Sequence, residues 1–416
     1  MNPKSFMLIA GEASGDMLAA ELVRALRQEA ADAKAIPTAD YQPLHTSLEP
    51  RFFGAGGPRM AAEGVDLAFD MTEHSVVGLT EVLRHCVKFR RLFYQLLELA
   101  LQRQPDVIIC VDFSGFNRRF ARAVKQYTRG HADWFHDWNP RLIQYVSPQV
   151  WASREGRAYQ MARDYDLVLS IFPFEQEWYA KRVPQLAVEF VGHPIVDRYA
   201  KGRGERGGGQ GRHGASNLLL LPGSRASELT RHLPLMVAAL ELIRAKIADL
   251  RARMILPNEN LLKQARTLGL PPSLAVQAGG LSEALAETDV AIASTGTVTT
   301  ECAYFGVPTV ALYKTSWSTY QIARRIVKVK YIAMPNLLAN EEVFPEFIQG
   351  AATPDNITRA TVELLRDATR RAKIRAKLGE IVASLGSPGA TRRAAKAIAR
   401  LLNETATAPT PASQGR

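Results

Sequence analysis

Phe6-Met-Leu-Ile-Ala10 runs straight into Gly11-Glu-Ala-Ser-Gly-Asp16, and about two hundred residues later Leu218-Leu-Leu-Leu221 runs into Pro222-Gly-Ser-Arg225. Each is a short, continuous apolar run of the kind shown by a strand buried on both faces, cut off by a glycine turn. A helical pattern follows each turn: Leu18, Leu22, Val23 and Leu26 share one face after the first, and a longer pattern covers 228–245 after the second. Strand, glycine turn and helix, occurring twice, predict two doubly wound α/β domains.

Further apolar runs fit that scheme. Val107–Val111, Leu142–Val146, Leu167–Ile171 and Ala187–Val191 alternate with helical patterns in the first half; Ala252–Leu256, Ala275–Gln277, Val290–Ala293 and Thr309–Tyr313 do so in the second. Strands that alternate with helices predict parallel sheets. The expected organisation is a first domain over 1–200, a glycine-rich linker over 201–215 and a second domain over 216–385. A helix over 386–403, with the option of packing back on the first domain, and a disordered Thr/Ala/Pro tail over 404–416 follow. Glu29–Pro50 and Thr128–Asn139 read as insertions of unassigned role.

The 416 residues, 47% hydrophobic and 22% charged, are enough for two or three globular domains. No apolar run reaches the roughly 18 residues of a membrane span. Cys86, Cys110 and Cys302 are too scattered for a disulfide framework or a zinc site. Secreted, fibrous and integral membrane classes are therefore excluded. Lys+Arg 52 against Asp+Glu 41 leaves a net charge of +11, which admits nucleic acid, an anionic membrane or phosphorylated small molecules as partners. Eleven Lys/Arg against Glu363, Asp367 and Glu380 lie within 358–400, and Arg324, Arg325, Lys328 and Lys330 form a second cluster. Nucleic-acid binding calls for aromatics among the basic residues. The stretch 358–400 has none, so nucleic acid is not an expected partner.

Candidate chemistry gathers where the apolar runs end, because doubly wound sheets bind ligands outside the carboxyl ends of their strands. Glu12 stands there after the first run, and Ser14 belongs to a loop that either exposes amides to an anion or makes a tight turn capped by Ser14 or Asp16. Asp112 ends Val107–Val111 and precedes Phe113-Ser-Gly-Phe-Asn117, as a general base or a capping residue. Ser224, Arg225 and Glu228 follow Gly223; a helix N-terminus with an arginine fork suits the charge of a departing nucleotide diphosphate. Ser294-Thr-Gly-Thr297 suits a diphosphate as well, with Glu301 one turn later placed for ribose hydroxyls. The loop after Leu221 lacks the Walker A spacing. Asp164-Tyr-Asp166 precedes a strand instead of ending one, and His131 and His136 share no helix face, so neither a metal nor a cofactor is expected.

Taken in order, Gly11-Glu-Ala-Ser-Gly-Asp16, Gly57-Pro-Arg-Met60, Val77-Gly78 with Glu81-Val-Leu83, Tyr145-Val-Ser-Pro148 with Val150-Trp151, Gly192-His193, Leu221-Pro-Gly-Ser-Arg225 and Met334-Pro-Asn-Leu-Leu338 resemble the lipid-A-disaccharide synthase family. The resemblance runs from about residue 7 to 400. It implies a GT-B fold, two Rossmann-like domains facing across a cleft, with a UDP-sugar held mainly by the second. It further implies inverting transfer from UDP-2,3-diacylglucosamine to 2,3-diacylglucosamine 1-phosphate, giving a β-1,6 disaccharide in lipid A synthesis. Carried over, Asp112 becomes the base, Arg225 the partner of the UDP phosphates, Asn336 a residue near the donor and Glu301 the ribose ligand. A cytoplasmic enzyme peripheral to the anionic inner membrane is implied, and a homodimer is left open. Val76, Val77, Leu79, Val82 and Leu83 either resemble the part of the family that meets acyl chains or membrane or form the core face of an ordinary helix. Ser153 stands where the family commonly has a tryptophan, and Asp112 is followed by Phe-Ser-Gly, which bears on acyl selectivity.

Overall fold

The computed structural model describes residues 4–34, 49–72, 82–131, 137–200 and 216–407. The linker expected at 201–215 lies outside them, as do Val76, Val77, Leu79, Trp134, His136 and the last residues of the tail. The chain divides into two compact units: Met1–Trp151 with Glu155–Arg198 and Gly386–Arg416, and Ala152–Arg154 with Tyr199–Leu385.

In the first unit, among the described residues, seven parallel strands lie in the order β3-β2-β1-β4-β5-β6-β7. They are β1 (Ser5–Ala10), β2 (Arg51–Gly56), β3 (Asp66–Asp70), β4 (Val107–Val111), β5 (Arg141–Tyr145), β6 (Leu167–Ser170) and β7 (Ala187–Phe190). Successive side chains of β1 enter two cores. Phe6, Leu8 and Ala10 pack on one face of the sheet and Met7 and Ile9 on the other, which is why the run reads as continuously apolar.

In the second unit, among the described residues, six parallel strands lie in the order β10-β9-β8-β11-β12-β13. These are β8 (Ser216–Leu221), β9 (Leu250–Leu256), β10 (Ala275–Ala278), β11 (Val290–Ser294), β12 (Thr309–Tyr313) and β13 (Glu346–Ile348). Helix Ala226–Arg244 buries Leu229, Leu233, Met236, Leu240 and Ile243 against this sheet. Three strands carry no long apolar run and are absent from the sequence reading. β2 contains two glycines, β3 is an edge strand with an alternating pattern, and β13 has three residues.

The chain ends back on the first unit. Asp197 accepts the amide N–H groups of Gly389, Ala390 and Thr391, and Arg393 Nε donates to Val191 O at 2.8 Å. Ala394, Ala395 and Ile398 of helix Ala390–Thr407 complete one core of the first sheet. That helix reaches beyond 403, into the stretch expected to be tail. Other corrections are of the same kind. Helix Ala13–Lys34 runs into the supposed insertion at 29–50, and helix Ser114–Gly130 into the one at 128–139. Trp138, read there as unassigned, donates its Nε1–H to Pro105 O at 3.0 Å.

Candidate active site

Both sheets reverse their strand order at one place, β1/β4 in the first and β8/β11 in the second. At such a switch point the connections leave in opposite directions and open a crevice at the carboxyl ends of the two strands. All the strand-end candidates stand there. Ala10 pairs with Val111, so Glu12 and Asp112 leave adjacent strands side by side. Leu221 pairs with Ala293, which brings the Ser224–Arg225 loop next to the Ser294–Thr297 loop.

Asp112 is held in an unusual backbone. Its φ is +48° and that of Phe113 is +40°, while Val146, one strand away, has +67°. Left-handed conformations cost energy in residues with a Cβ and cluster at functional sites. Two buried carboxamides maintain the turn. Asn117 Nδ2 donates to Asp112 O at 2.9 Å and to Val111 O at 3.2 Å; Gln144 Nε2 donates to Asp112 O at 3.2 Å and to Val146 O at 3.1 Å. Asp112 N–H donates to Tyr145 O at 2.9 Å. Gly11 is required by the same turn, since a Cβ there would lie 2.2 Å from the Phe113 ring.

Asp16 does something the sequence reading did not foresee. It caps the neighbouring short helix Pro58–Ala62 instead of its own, accepting from Gly57 N–H at 2.8 Å and from Arg59 and Met60 N–H at 3.0 Å. The first two motifs are thus one hydrogen-bonded unit. Ser14, half-buried, lies at the start of helix Ala13–Lys34, with Asp16 N–H donating to Glu12 O.

In the second unit Ser224 and Arg225 are exposed and precede the free amides of helix Ala226–Arg244. Glu228, expected to touch substrate, shapes this loop: Oε2 accepts from Ser224 N–H at 3.1 Å and Oε1 from Arg225 Nη1 at 3.2 Å. Buried His232 fastens the loop from below. Its Nδ1–H donates to Pro222 O at 2.8 Å and its Nε2 accepts from Lys314 N–H at 3.0 Å, so the ring is neutral and burial holds its pKa below the ordinary value. Opposite, Gly296 has φ +140° and begins helix Thr297–Tyr304; Gly296 and Thr297 are exposed, Thr295 is half-buried and Ser294 is buried. Glu301 is half-buried and accepts from the Tyr199 hydroxyl at 3.2 Å.

Asn336 is the clearest departure from expectation. It is fully buried, with Oδ1 accepting from Val343 and Phe344 N–H and Nδ2 donating to Phe344 O and Glu346. A side chain occupied in this way ties down the chain before β13 and has nothing left to offer a donor. Asp166 likewise is structural, paired with Lys125 and Arg141. Sequence reasoning missed Asn117, Gln144, His232 and Tyr199. Only Asn117 stood inside a motif that it quoted.

Two Rossmann-like α/β units, each with its loops gathered at a strand-order reversal, define a chain of the GT-B class. Solved structures of that fold match over its length: the calicheamicin glycosyltransferase CalG4, covering 98% of this chain and 100% of that one, has a TM-score of 0.55 at 14% identity. UDP-GlcNAc 2-epimerase from Neisseria meningitidis, bound to UDP-GlcNAc, covers 96% and 100% with a TM-score of 0.57 at 10% identity. The sequence model described as lipid-A-disaccharide synthetase matches residues 6–401. Lipid-A-disaccharide synthase of Myxococcus xanthus is 35% identical over 410 residues, 96% of this chain and 98% of that protein. The protein of that name from Geobacter sulfurreducens is 34% identical over 412 residues, 96% and 97% respectively. The chain belongs to the lipid-A-disaccharide synthetase family, glycosyltransferases that form the lipid A disaccharide.

Proposed function

We propose that this enzyme joins UDP-2,3-diacylglucosamine to 2,3-diacylglucosamine 1-phosphate, releasing UDP, and does so from the cytoplasmic face of the inner membrane. The observation that carries the reading is the Asp112 turn: a carboxylate at the switch point of the first sheet, on backbone that two buried amides hold in a left-handed conformation. In the proposed step the acceptor's 6-hydroxyl oxygen bonds to the donor's anomeric carbon from the face opposite UDP, inverting that centre. Asp112 takes the hydroxyl proton, and the bond to the diphosphate oxygen breaks with its electron pair leaving on UDP. Glu12, on the adjacent strand end, orients the acceptor sugar.

The growing negative charge on UDP is met in the second unit. Arg225 offers a bidentate fork, and the N-termini of helices Ala226–Arg244 and Thr297–Tyr304 present unpaired amides together with Ser224, Thr295 and Thr297. Glu301 accepts from the ribose hydroxyls. No described helix is long and apolar enough to cross a membrane, which accords with a peripheral enzyme.

The test is UDP release from purified protein given both lipid substrates, with and without chelator. Release that depends on the acceptor and survives chelation is expected. Asp112→Asn should lower kcat by about 10²–10⁴-fold, the range a positioned general base supplies, while UDP binding is unchanged. Full activity in that variant removes Asp112 as base, and UDP release without acceptor removes the transferase reaction.

A further inference from the structure

The fold explains three of the four residues of Gly57-Pro-Arg-Met60. Gly57 lets the Asp16 carboxylate approach, since a Cβ there would lie 2.8 Å from Asp16 Oδ2 and 2.6 Å from Thr72 Cγ2. Pro58 opens the short helix Pro58–Ala62, at a position where no amide is needed. Met60 is fully buried in one core of the first sheet. Arg59 is different. Its backbone N–H donates to Asp16 Oδ2 at 3.0 Å, yet its side chain is exposed and makes no hydrogen bond or ion pair among the described residues.

The place of Arg59 in the sheet gives that side chain a use. β2 and β4 flank β1, with Ala55 opposite Ile9 and Val111 opposite Ala10. Arg59, Glu12 and Asp112 thus follow the ends of three neighbouring strands, and a strand spacing of about 4.8 Å puts the outer two ends roughly 10 Å apart. Among the described residues of the first unit, Arg59 is the one lysine or arginine within four positions after the end of a strand. His193, which follows β7, is held uncharged, its pKa pushed down to about 3 by burial and by Arg198. The rim therefore carries two carboxylates, Glu12 and Asp112, and one permanent cation.

The proposed acceptor is itself anionic. A phosphate monoester brought up to two carboxylates is repelled unless a cation stands beside it, and the planar fork of arginine matches phosphate oxygens in pairs. We infer that Arg59 binds the anomeric phosphate of the acceptor, so that the ends of β2, β1 and β4 hold in turn the phosphate, the sugar ring and the 6-hydroxyl. The inference rests on the proposed acceptor and assigns the residue that selects a sugar phosphate over the free sugar. In that sugar the phosphate and the 6-hydroxyl project from the two carbons beside the ring oxygen, and one hexose with an arginine side chain spans the distance between the outer strand ends. Because buried Asp16 fixes the Arg59 main chain, less freedom is lost when the guanidinium closes on the phosphate.

Calorimetric binding to purified full-length protein tests this, with 2,3-dihexanoylglucosamine 1-phosphate and its dephosphorylated counterpart as probes. Wild type should bind the phosphorylated probe at least about tenfold more tightly, the worth of one charge-assisted hydrogen bond, and the preference should shrink as salt is raised. In Arg59→Ala the two probes should bind alike, at the affinity wild type has for the dephosphorylated one. Arg59→Lys should restore part of the preference, because the charge returns without the fork. UDP binding and the thermal melt should match wild type in both variants, since the Arg59 side chain bonds to nothing in the fold. In turnover, Arg59→Ala should raise KM for the phosphorylated acceptor at least about tenfold and leave KM for the UDP-sugar unchanged. An equal loss for both probes in Arg59→Ala overturns the inference, as does an undiminished preference for phosphate. So does a wild type that binds both probes alike or binds neither. Failure of UDP release in wild type, beside a phosphate preference that Arg59→Ala removes, counts against the proposed transfer and leaves the assignment of Arg59 standing.

Discussion

Asn117 donates its side-chain N–H to the main-chain oxygen of Asp112 at 2.9 Å, five residues back along the chain. The bond reaches the backbone of Asp112 and fixes the turn that carries the proposed base. Asn117→Ala should therefore lower kcat by ten- to a hundredfold with little change in KM for the donor, while costing about 1–3 kcal/mol of stability for the buried carbonyls left unpaired. Steady-state kinetics with a thermal melt separates the two effects. A rise in KM alone would show that the turn serves binding and not the base.

Gly11 packs its bare Cα against the Phe113 ring, where a Cβ would come within 2.2–2.6 Å of three ring atoms. Gly11→Ala must push Phe113 away and take the Asp112 turn with it. Activity should drop at least tenfold, and the additional change Phe113→Ala, which opens the space, should recover part of the loss. No recovery would mean that the clash is not what disables the enzyme.

Glu175 lies buried with Oε1 accepting from Trp151 Nε1–H at 2.9 Å, and burial raises its pKa to about 8. A carboxyl with a folded pKa above its unfolded value stabilises fully below the unfolded value and loses that contribution as pH rises toward 8. Glu175→Gln keeps the acceptor and removes the titration. Denaturant melts should show the glutamine variant gaining on wild type between pH 5 and pH 8.5, levelling off above. Parallel curves would place the ionisation elsewhere.

Histidines give the opposite slope. His193 is held down to about 3 by burial and by Arg198, and His232 is lowered as well. A base whose folded pKa is depressed takes up its proton on unfolding, so stability is intact above the unfolded value of about 6.5 and declines as pH falls below it. Because His232 fastens the Pro222 loop and stays neutral in the folded protein through that range, UDP affinity should weaken only at lower pH, as His232 takes up a proton at its lowered folded value, and in His232→Asn that part of the pH dependence should disappear.

Tyr199 donates to Glu301 Oε1 at 3.2 Å and stacks edge-on against Phe305. Removing only the hydroxyl in Tyr199→Phe should raise the Kd for UDP by about three- to tenfold, the worth of one ordinary hydrogen bond. The corresponding loss for 2′,3′-dideoxy-UDP, which has no ribose hydroxyls for Glu301, should be near zero. Equal losses for both nucleotides would separate Tyr199 from ribose recognition.

Much of this was legible in the sequence because a strand buried on both faces must be apolar at every position and must end where the polar loop begins. Val107–Val111 and Thr309–Tyr313 are read to the residue for that reason, and Asp112, Ser224 and Ser294 are found as the first polar residues past such runs. β2 and β13 were illegible because glycines and brevity erase that pattern, and both are recognisable only through the neighbours they pair with. Asn336 was misassigned because a motif marks that a residue matters without saying whether its polar atoms face a ligand or the chain.

The sequence alone determined the two α/β units, the strand ends that bear the chemistry and the family, since periodicity and motif order are local properties. Tertiary structure decided which polar side chains are spent. Asp16 meets Gly57 and Met60, His232 meets Pro222, Asn336 meets Phe344, and the basic C-terminal helices meet their acids, all through hydrogen bonds whose partners are set by packing. The left-handed turn at Asp112 and the exposure of Trp317 have no signature in one dimension, because both are set by everything that packs, or does not pack, around the residue.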